Sequence, residues 1–287
     1  KLLIIDIDHF SDYEIMAGTY TPPNLEEYDS LGVNPFKTYF ENNKESVSTN
    51  SGSLSIECSD IILPGKDGFD LIIKRIYDTS YAESYARIKA DTENNSGKHS
   101  DLSKHFGWGW TLNIPWIYNG PDGLMIQLPS GRNEHIKRFD DNKYVSHKGV
   151  HFELIRYKYR RTTTGYDLIL RNGIRYSFDG GGRLLTQFSR GNRSGRNDRF
   201  QISYYYTSSN KIDYIIDSFS RKIDFIYNNN DRISSIQVKF DDKQIQEHKY
   251  EYDTEKKYLT KYIDPKGRET RYTYETYGRT IGSYFKN

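Results

Sequence analysis

Cysteine and alanine are scarce in this sequence. A single cysteine, Cys58, among 287 residues excludes an intramolecular disulfide and a cysteine-rich zinc site. The sequence has only 4 alanines and 17 leucines, against 29 isoleucines and 26 tyrosines, and it has 14 phenylalanines. Because helices favour Ala and Leu whereas strands favour β-branched and aromatic residues, the composition argues against a helix bundle and predicts an all-β protein.

Long apolar runs are also missing. The longest, residues 2–5, is far shorter than the roughly 18 residues that a membrane-spanning helix needs. We therefore predict no membrane span. The sequence shows no signal peptide and starts at Lys1 rather than at a methionine, so we interpret it as a fragment or a processed product.

Charge of one sign is not in excess, since the net charge is only +2. This sum hides a net −9 over residues 1–131 and a net +11 over residues 132–287. A basic surface can attract nucleic acid. Here, however, the basic side chains are interspersed with acidic ones, which indicates solvated strand faces, and no nucleic-acid partner is predicted.

Three regions follow from the local composition. Residues 1–50 are polar and irregular, with Pro22, Pro23 and Pro35, and they are typical of an extended N-terminal arm or plug-like segment. Residues 51–150 alternate apolar and polar positions and predict a β-rich leader domain. In residues 151–287, turn signals recur at regular spacing, with 10 to 13 residues between the last six. Such spacing predicts an antiparallel meander, forming part of a curled sheet or shell.

The meander also repeats in sequence. Residues 210–233 align without gaps on residues 257–280, at an offset of 47, and residues 176–184 contain an earlier copy. Each unit reads Asp, three residues, Arg, then two aromatic residues two positions apart, and a later Arg. Repeats of this kind indicate one supersecondary unit stacked on its neighbours. The repeat positions are Asp217, Arg221, Phe225, Tyr227, Arg232, Asp264, Gly267, Arg268, Tyr272, Tyr274, Gly278 and Arg279.

The residue types suggest how a unit is built. Asp264 to Gly267 has the letters of a type I turn. Aromatic residues two apart lie on one face of a strand and predict ladders of cross-strand pairs. Tyrosine has an apolar body and a polar tip, so we expect a broad sheet with no thick core behind it. The turn arginines are expected to cover rings or to pair with the turn aspartates.

A second set of positions lies upstream of the repeats. Glycines flanking Trp108 and Trp110 predict close backbone approach, with large rings covering one end of a core. These leader positions are Pro64, Gly65, Gly68, Arg75, Tyr77, Gly107, Trp108, Gly109 and Trp110.

The repeat units resemble the YD repeats of the Rhs family, whose motif combines Tyr-Asp, Gly-Arg and Tyr-x-Tyr elements. The leader resembles the segment that precedes such repeats, and the resemblance covers about residues 32–287. It implies a shell like those of bacterial Rhs proteins, Tc toxins and teneurins, which in the bacterial members encloses a C-terminal toxin. The other segments that carry the resemblance are residues 34–40, 51–54, 63–71, 75–78 and 106–112.

The resemblance further implies that the partners are the remaining shell and the toxin of the same protein, and that the location is secreted or at the bacterial cell surface. The sequence departs from the family in having only about three recognisable units. It also lacks the Asp-Pro-x-Gly-Leu-type element that marks the end of the shell. We therefore expect an N-terminal shell portion without its cargo, whose last strand exposes an unpaired edge and favours self-association.

Catalytic interpretations are weaker. Asp6 and Asp8 follow an apolar strand, as in some magnesium sites, but the partner motifs of such enzymes are missing. His147 and His151 form the one close histidine pair, without a third ligand nearby. Cys58 lies in a strand pattern typical of packing. We expect no enzyme activity, no cofactor and no metal.

One alternative function remains. Rows of tyrosine and tryptophan on an exposed sheet can stack on sugar rings, so the same residues, Tyr272 among them, are also consistent with a cell-surface carbohydrate-binding module. Glycans are therefore possible partners, and binding that is lost on Tyr272→Ala would favour this alternative.

Overall fold

The structure is a computed structural model that describes residues 43–47, 54–79, 103–120, 123–138, 143–145, 152–190, 200–255, 258–274 and 280–286. Most of these residues lie in antiparallel strands, which confirms the predicted all-β class. The described part includes one short helix, α1 (Ser103–Phe106), and a 3-10 turn over Lys66–Gly68. No helix in the described part is long and apolar enough to cross a membrane.

The leader sheet is four-stranded, with the order β1-β2-β3-β4. A β-bulge interrupts the pairing of β2 with β3 between Ser59 and Ile61. The bulge adds one residue to β2 and thereby turns the side chain of Asp60 inward, where only 2% of it is exposed. The strands are β1 (Asn43–Val47), β2 (Leu54–Leu63), β3 (Leu71–Asp78) and β4 (Trp110–Leu112).

A small sheet of three strands follows, with the order β5-β6-β7. It reaches the repeats through a bond from the Ile117 amide to the Gly182 carbonyl, 3.0 Å long. Gly182 has φ +87, and a Cβ there would lie 1.9 Å from the Ile117 carbonyl oxygen. Only glycine therefore permits this approach. The strands are β5 (Trp116–Gly120), β6 (Gly123–Gln127) and β7 (Asn133–His135).

The repeat sheet contains 14 described strands, β8 to β21, each paired with its neighbours in sequence. This confirms the predicted antiparallel meander. β8 and β21 each pair with only one described strand, so the described part of the sheet is open. The strands are β8 (Lys137–Arg138), β9 (Lys143–Val145), β10 (Phe152–Tyr159), β11 (Thr162–Leu170), β12 (Arg175–Asp179), β13 (Leu184–Phe188), β14 (Gln201–Tyr206), β15 (Ile212–Ile216), β16 (Lys222–Tyr227), β17 (Ile233–Phe240), β18 (Lys243–Tyr252), β19 (Leu259–Ile263), β20 (Glu269–Tyr274) and β21 (Thr280–Lys286).

One turn type recurs between these strands. At residues 217–221, the Ser220 amide donates to the Asp217 carbonyl and the Asp217 amide to the Arg221 carbonyl. Ser220 has φ +60, so the loop is a type I turn followed by one residue in the left-handed region. Equivalent bonds and a left-handed residue occur at residues 170–174, 179–183, 207–211, 228–232 and 264–268.

The two faces of the repeat sheet differ. We call the face that carries Tyr204, Phe225, Tyr250 and Tyr272 the inner face, and the opposite one the outer face. The inner residues are buried in one cluster with the apolar residues of the leader sheet. The expectation of a broad sheet with no thick core behind it is therefore wrong, because the leader covers the inner face.

Candidate functional site

The inner face is built from pairs of aromatic residues two positions apart. Five such pairs occur among the described residues, whereas the sequence repeat drew attention to three. Their last members Tyr206, Tyr227, Tyr252 and Tyr274 follow one another at intervals of 21, 25 and 22 residues. The structural unit is thus one pair of strands, about half of the 47-residue offset. The pairs are Tyr176 and Phe178, Tyr204 and Tyr206, Phe225 and Tyr227, Tyr250 and Tyr252, and Tyr272 and Tyr274.

The hydroxyl of the second tyrosine in a pair bonds to the backbone. Its hydroxyl donates to the carbonyl of the first residue of the preceding strand, just after a turn. Buried carbonyls need hydrogen-bond partners, so each hydroxyl stabilises the start of the neighbouring strand. The bonds run from Tyr206 to Leu184 at 2.8 Å, from Tyr227 to Ile212 at 2.8 Å, from Tyr252 to Ile233 at 2.8 Å, and from Tyr274 to Leu259 at 2.5 Å.

We call the sheet edge where these four bonds lie the tyrosine edge. Basic residues connect successive turns along it. The Arg183 guanidinium lies 5.4 Å from the ring centroid of Tyr206 and donates to Asn210 Oδ1 at 2.5 Å. Lys211 lies 5.1 Å from the Tyr227 ring and pairs with Asp231 at 2.5 Å. Asn210 and Asp231 are the left-handed residues of their turns, so their side chains receive the cation of the turn before.

The aspartate of a repeat turn holds its own arginine. Asp217 Oδ1 accepts the amides of Phe219 and Arg221, both at 2.9 Å, and Oδ2 accepts Arg221 Nε at 2.7 Å. Asp264 and Arg268 form the same arrangement, with amide bonds of 2.9 and 2.8 Å. Burial raises the pKa of Asp264, but the Arg268 bonds outweigh it and the pKa is lowered. The turn is therefore fixed in its charged form.

Two of the predicted positions connect a repeat turn with the leader. Arg221 donates through its second terminal nitrogen to the Pro64 carbonyl at 2.8 Å.

Gly65 lies at the start of the 3-10 turn, where a Cβ would be 1.8 Å from the Phe69 carbonyl oxygen. Gly68 has φ +74. These two glycines allow the leader turn to fold back tightly beside the repeat turn.

The two tryptophans reach the inner face. Gly107 and Gly109 have φ +94 and +79, a left-handed backbone on both sides of Trp108. Trp108 packs edge-on against Tyr258 at 5.4 Å. Trp110 is fully buried, and its indole nitrogen donates to the Tyr274 hydroxyl at 2.8 Å. Other leader rings pack as follows: His105 on Tyr227, Phe106 on Tyr250, Tyr77 on Tyr274, and Trp110 on Tyr272.

Arg75 lies at the centre of the contact between the leader and the repeat sheet. It is 1% exposed and bonds to both carboxylate oxygens of Asp60. Its guanidinium also donates to the Tyr272 hydroxyl at 3.1 Å and lies 4.1 Å from the Tyr262 ring centroid. The Tyr250 hydroxyl donates to Asp60 at 2.9 Å. One buried ion pair thus holds both sheets together.

The electrostatics of this cluster are mutually consistent. Burial alone would lower the pKa of Arg75, yet the Asp60 carboxylate raises it well above its ordinary value. Burial raises the pKa of the Cys58 thiol to about 11, so Cys58 is neutral beside the Tyr272 hydroxyl. Burial likewise raises the pKa of Tyr272. Arg75 and Asp60 therefore carry the charge, and their neighbours stay neutral.

The remaining predicted residues have the following places. Phe225 is buried on the inner face, and the Arg232 amide donates to Asn228 Oδ1 at 3.1 Å. Gly267 is the left-handed residue of its turn, with φ +80. No group of three metal-ligating side chains occurs in the described part of the chain. Gly278, Arg279, Asp6, Asp8, His147 and His151 lie outside the described residues.

Several residues of the contact were missed from the sequence. Asp60 gives no signal, because a bulge cannot be read from the alternation of β2. Tyr250 could have been found, since Tyr-x-Tyr recurs at 204–206 and 250–252. Tyr272, which the carbohydrate hypothesis required to be accessible, is only 3% exposed.

Comparison with known proteins adds little. No protein-family model and no curated protein matches the sequence. The chain is similar to crystal structures of TcdB2-TccC3, of TcdB2-TccC3-Cdc42 and of TcdB2-TccC3 without the hypervariable C-terminal region. The identities are 9%, 11% and 11%, and the TM-scores are 0.48, 0.31 and 0.21. The similarity covers 87%, 85% and 85% of this chain but only 16%, 14% and 15% of those chains. At these values the likeness establishes neither a family nor a function, and the Rhs resemblance stays a prediction.

Proposed function

We propose that this chain is a non-catalytic wall segment of an Rhs-type shell that encloses a C-terminal toxin of the same protein and helps to deliver it. On this proposal the protein acts outside the bacterial cell or at its surface. Its partners are further repeat strands and the toxin.

One observation carries the proposal: the repeat sheet grows by the same step each time. Every described strand of this sheet pairs with its described sequence neighbours, and from β13 to β20 each pair of strands adds one hydroxyl-to-carbonyl bond at the tyrosine edge. Because each strand pair is hydrogen-bonded to the described strands beside it, the sheet can be extended by further pairs of the same kind. A long wall needs this property.

The role of the buried charges also supports a structural function. Arg75 and Asp60 are engaged with each other and with tyrosine hydroxyls. Catalytic charges usually face a cleft where a substrate can reach them. Arg75 is 1% exposed and Asp60 lies beneath it, so the pair joins two sheets instead.

Electron microscopy of the full-length gene product tests the proposal. We expect a hollow particle whose wall contains this segment, with additional density inside. A solid globule or a β-propeller would overturn it. A second measurement is protease digestion: the C-terminal domain should survive in the intact particle and be cleaved when produced alone.

The alternative carbohydrate-binding function requires accessible rings. The inner tyrosines do not meet this requirement, because the leader covers them. On the outer face, Tyr205 and Tyr214 stack on each other at 4.4 Å, and Lys222 lies 4.4 Å from the Tyr214 ring centroid. These rings are already in contact with neighbours, so we favour the wall. A glycan array with the full chain distinguishes the two, with Tyr205→Ala as the variant.

A further inference from the structure

His248 is a buried histidine that the wall function does not use. It lies on the inner face of β18 and is 2% exposed. Its Nδ1 forms a 2.7 Å hydrogen bond with the Tyr262 hydroxyl, and its ring stacks on Tyr262 with 6.0 Å between centroids. Its Nε2 is buried and has no hydrogen-bond partner among the described residues. A buried nitrogen without a partner is uncommon in a native structure and calls for an explanation.

The surroundings of His248 come from both sheets. Its stacking partner Tyr262 also carries the Arg75 guanidinium of β3, at 4.1 Å from the ring centroid. Asp60 of β2 and Asp264 of the β19–β20 turn act on the imidazole with the opposite sign. From β17 the paired residue is the apolar Ile236. Tyr262 of β19 in turn contacts the ring of Tyr250 and interacts with Tyr272 of β20.

Protonation is unfavourable in this position. An imidazolium would bring a second cation close to Arg75, and its Nε2–H would be buried without an acceptor. Burial is the largest effect and lowers the pKa of His248, and Arg75 lowers it further, while Asp60 and Asp264 only partly oppose them. The neutral ring is therefore the form that fits while the leader covers the inner face.

We propose that His248 makes the seating of the leader sheet on the repeat sheet sensitive to protons, with the leader seated at neutral pH and released on mild acidification. Release gives His248 contact with water, which solvates both N–H groups of the imidazolium. The inference concerns the contact between the two sheets and does not require the shell or its cargo.

The sign and size of the effect follow from linkage. In the released state the pKa returns toward its ordinary value of about 6.5, whereas in the seated state it is lower. The released state therefore binds more protons, and the seated state is fully favoured only above about pH 6.5. Each pH unit below that value shifts the equilibrium toward release by up to about tenfold, until the pKa of the seated state is reached.

Cys58 provides a reporter in the unmodified chain. It is the only cysteine, it is 2% exposed, and its sulfur lies 3.9 Å from the Tyr272 hydroxyl at the same contact. Its reaction with 4,4′-dithiodipyridine can be followed between pH 7.5 and 5.0. Dividing each rate by that of the urea-unfolded chain at the same pH removes the intrinsic pH dependence of the thiol. We expect the normalised rate to rise severalfold, by up to about fivefold, between pH 6.5 and 5.5.

Two variants test the role of His248 directly. His248→Gln keeps a hydrogen-bonding group and His248→Phe keeps a ring over Tyr262, and neither titrates in this range. Either one, if folded by circular dichroism, should label at a rate independent of pH over this window. A rise of the same size in a folded His248 variant would overturn the proposal.

Other histidines provide the matched controls. His105 lies at the same interface, where its Nδ1 bonds to the Asp231 carbonyl at 2.6 Å, and His135 lies on β7 of the small sheet. His105→Gln and His135→Gln should keep the acid-induced rise, and its loss in His105→Gln alone would assign the effect to the wrong residue.

Release of the leader must also be separated from unfolding. Hydrogen exchange at pH 5.5 should show faster exchange in β2 and β3, with β14 to β17 still protected. Equal loss of protection in all these strands would contradict the proposal for the wild-type chain, even if neither His248 variant folds.

Discussion

The inner and outer faces of the repeat sheet are made by the same strands, yet they are stabilised differently. On the inner face, Tyr250 and Tyr272 are each 3% exposed, and their hydroxyls bond to Asp60 and Arg75 of the leader. On the outer face, Asp224 pairs with Lys222 and Lys239, both at 2.7 Å, and these lysines remain partly exposed.

This difference shows which contacts specify the fold. Inner contacts combine apolar burial with hydrogen bonds that water cannot replace once the leader is seated. The outer ion pairs of Asp224 involve partly exposed lysines, whose side chains can turn to water at little cost. Successive side chains of a strand point to opposite faces. Substitutions on the inner face should therefore destabilise the fold more than substitutions on the outer face.

The largest loss of stability is expected from a substitution at the centre of the inner face. Arg75→Leu leaves the Asp60 carboxylate buried without its cation, and we expect the free energy of unfolding to fall by about 3–5 kcal/mol. Urea denaturation followed by tryptophan fluorescence measures it. The double variant Asp60→Asn with Arg75→Leu removes the unpaired charge and should recover part of the loss; no recovery would contradict the assigned role of the ion pair.

The next effect tests the tyrosine hydroxyls. Tyr274→Phe removes the acceptor of the Trp110 indole and the donor to the Leu259 carbonyl, so we expect a loss of about 1–3 kcal/mol. Tyr227→Phe removes a single described bond and should cost about 1 kcal/mol. On the outer face, Tyr205→Phe should change stability by less than about 0.5 kcal/mol. Equal effects on both faces in thermal or urea unfolding would refute the comparison.

A substitution in a turn lies on neither face and gives a reference value with which the other changes in stability can be compared. Gly267 has φ +80, and a Cβ there would meet nothing within 4 Å, so Gly267→Ala tests backbone conformation alone. We expect a loss of about 1–2 kcal/mol, the cost of a left-handed L-residue. Ser220, with φ +60, is the reverse case; Ser220→Gly should raise stability by less than about 1 kcal/mol. Denaturation midpoints of the two variants should move in opposite directions.

The smallest effect is expected on the outer face. Lys239→Ala removes one of the two partners of Asp224, and the loss should be about 0.2–1 kcal/mol. It should shrink further in 0.5 M salt, because exposed charges are screened. A loss of stability comparable to that of Arg75→Leu, or one that does not depend on salt, would contradict the difference between the two faces.

The fold was largely predictable because its information is local. Turn letters at regular spacing and aromatic residues two apart predict strands and their faces, and Asp-x-x-x-Arg predicts the turns. The true unit was harder to recognise, since Tyr250 and Tyr252 lack an Asp-x-x-x-Arg turn just upstream. The repeat offset therefore spans two units instead of one.

The contact between leader and repeats was not predictable in the same way. Arg75 and Tyr272 lie 197 positions apart, and Tyr250 and Asp60 lie 190 apart. No periodicity relates such residues, and the bulge that turns Asp60 inward has no mark in the sequence. The polar tip of tyrosine suggested a face that meets water, whereas the hydroxyls find carbonyls and a buried arginine.

The same separation of 197 positions has a consequence for biosynthesis. The leader leaves the ribosome first, but the strand that carries Tyr272 follows much later, after roughly 10–40 s at 5–20 residues per second. During that interval Trp110, Tyr77 and the Arg75–Asp60 pair lack most of their final neighbours. The first repeat strands can pair with each other as they emerge, whereas the leader cannot complete its contacts until β20 has been synthesised. A nascent chain stalled before β20 should therefore be a good substrate for chaperones that bind exposed aromatic surface, and a chain stalled after it should not.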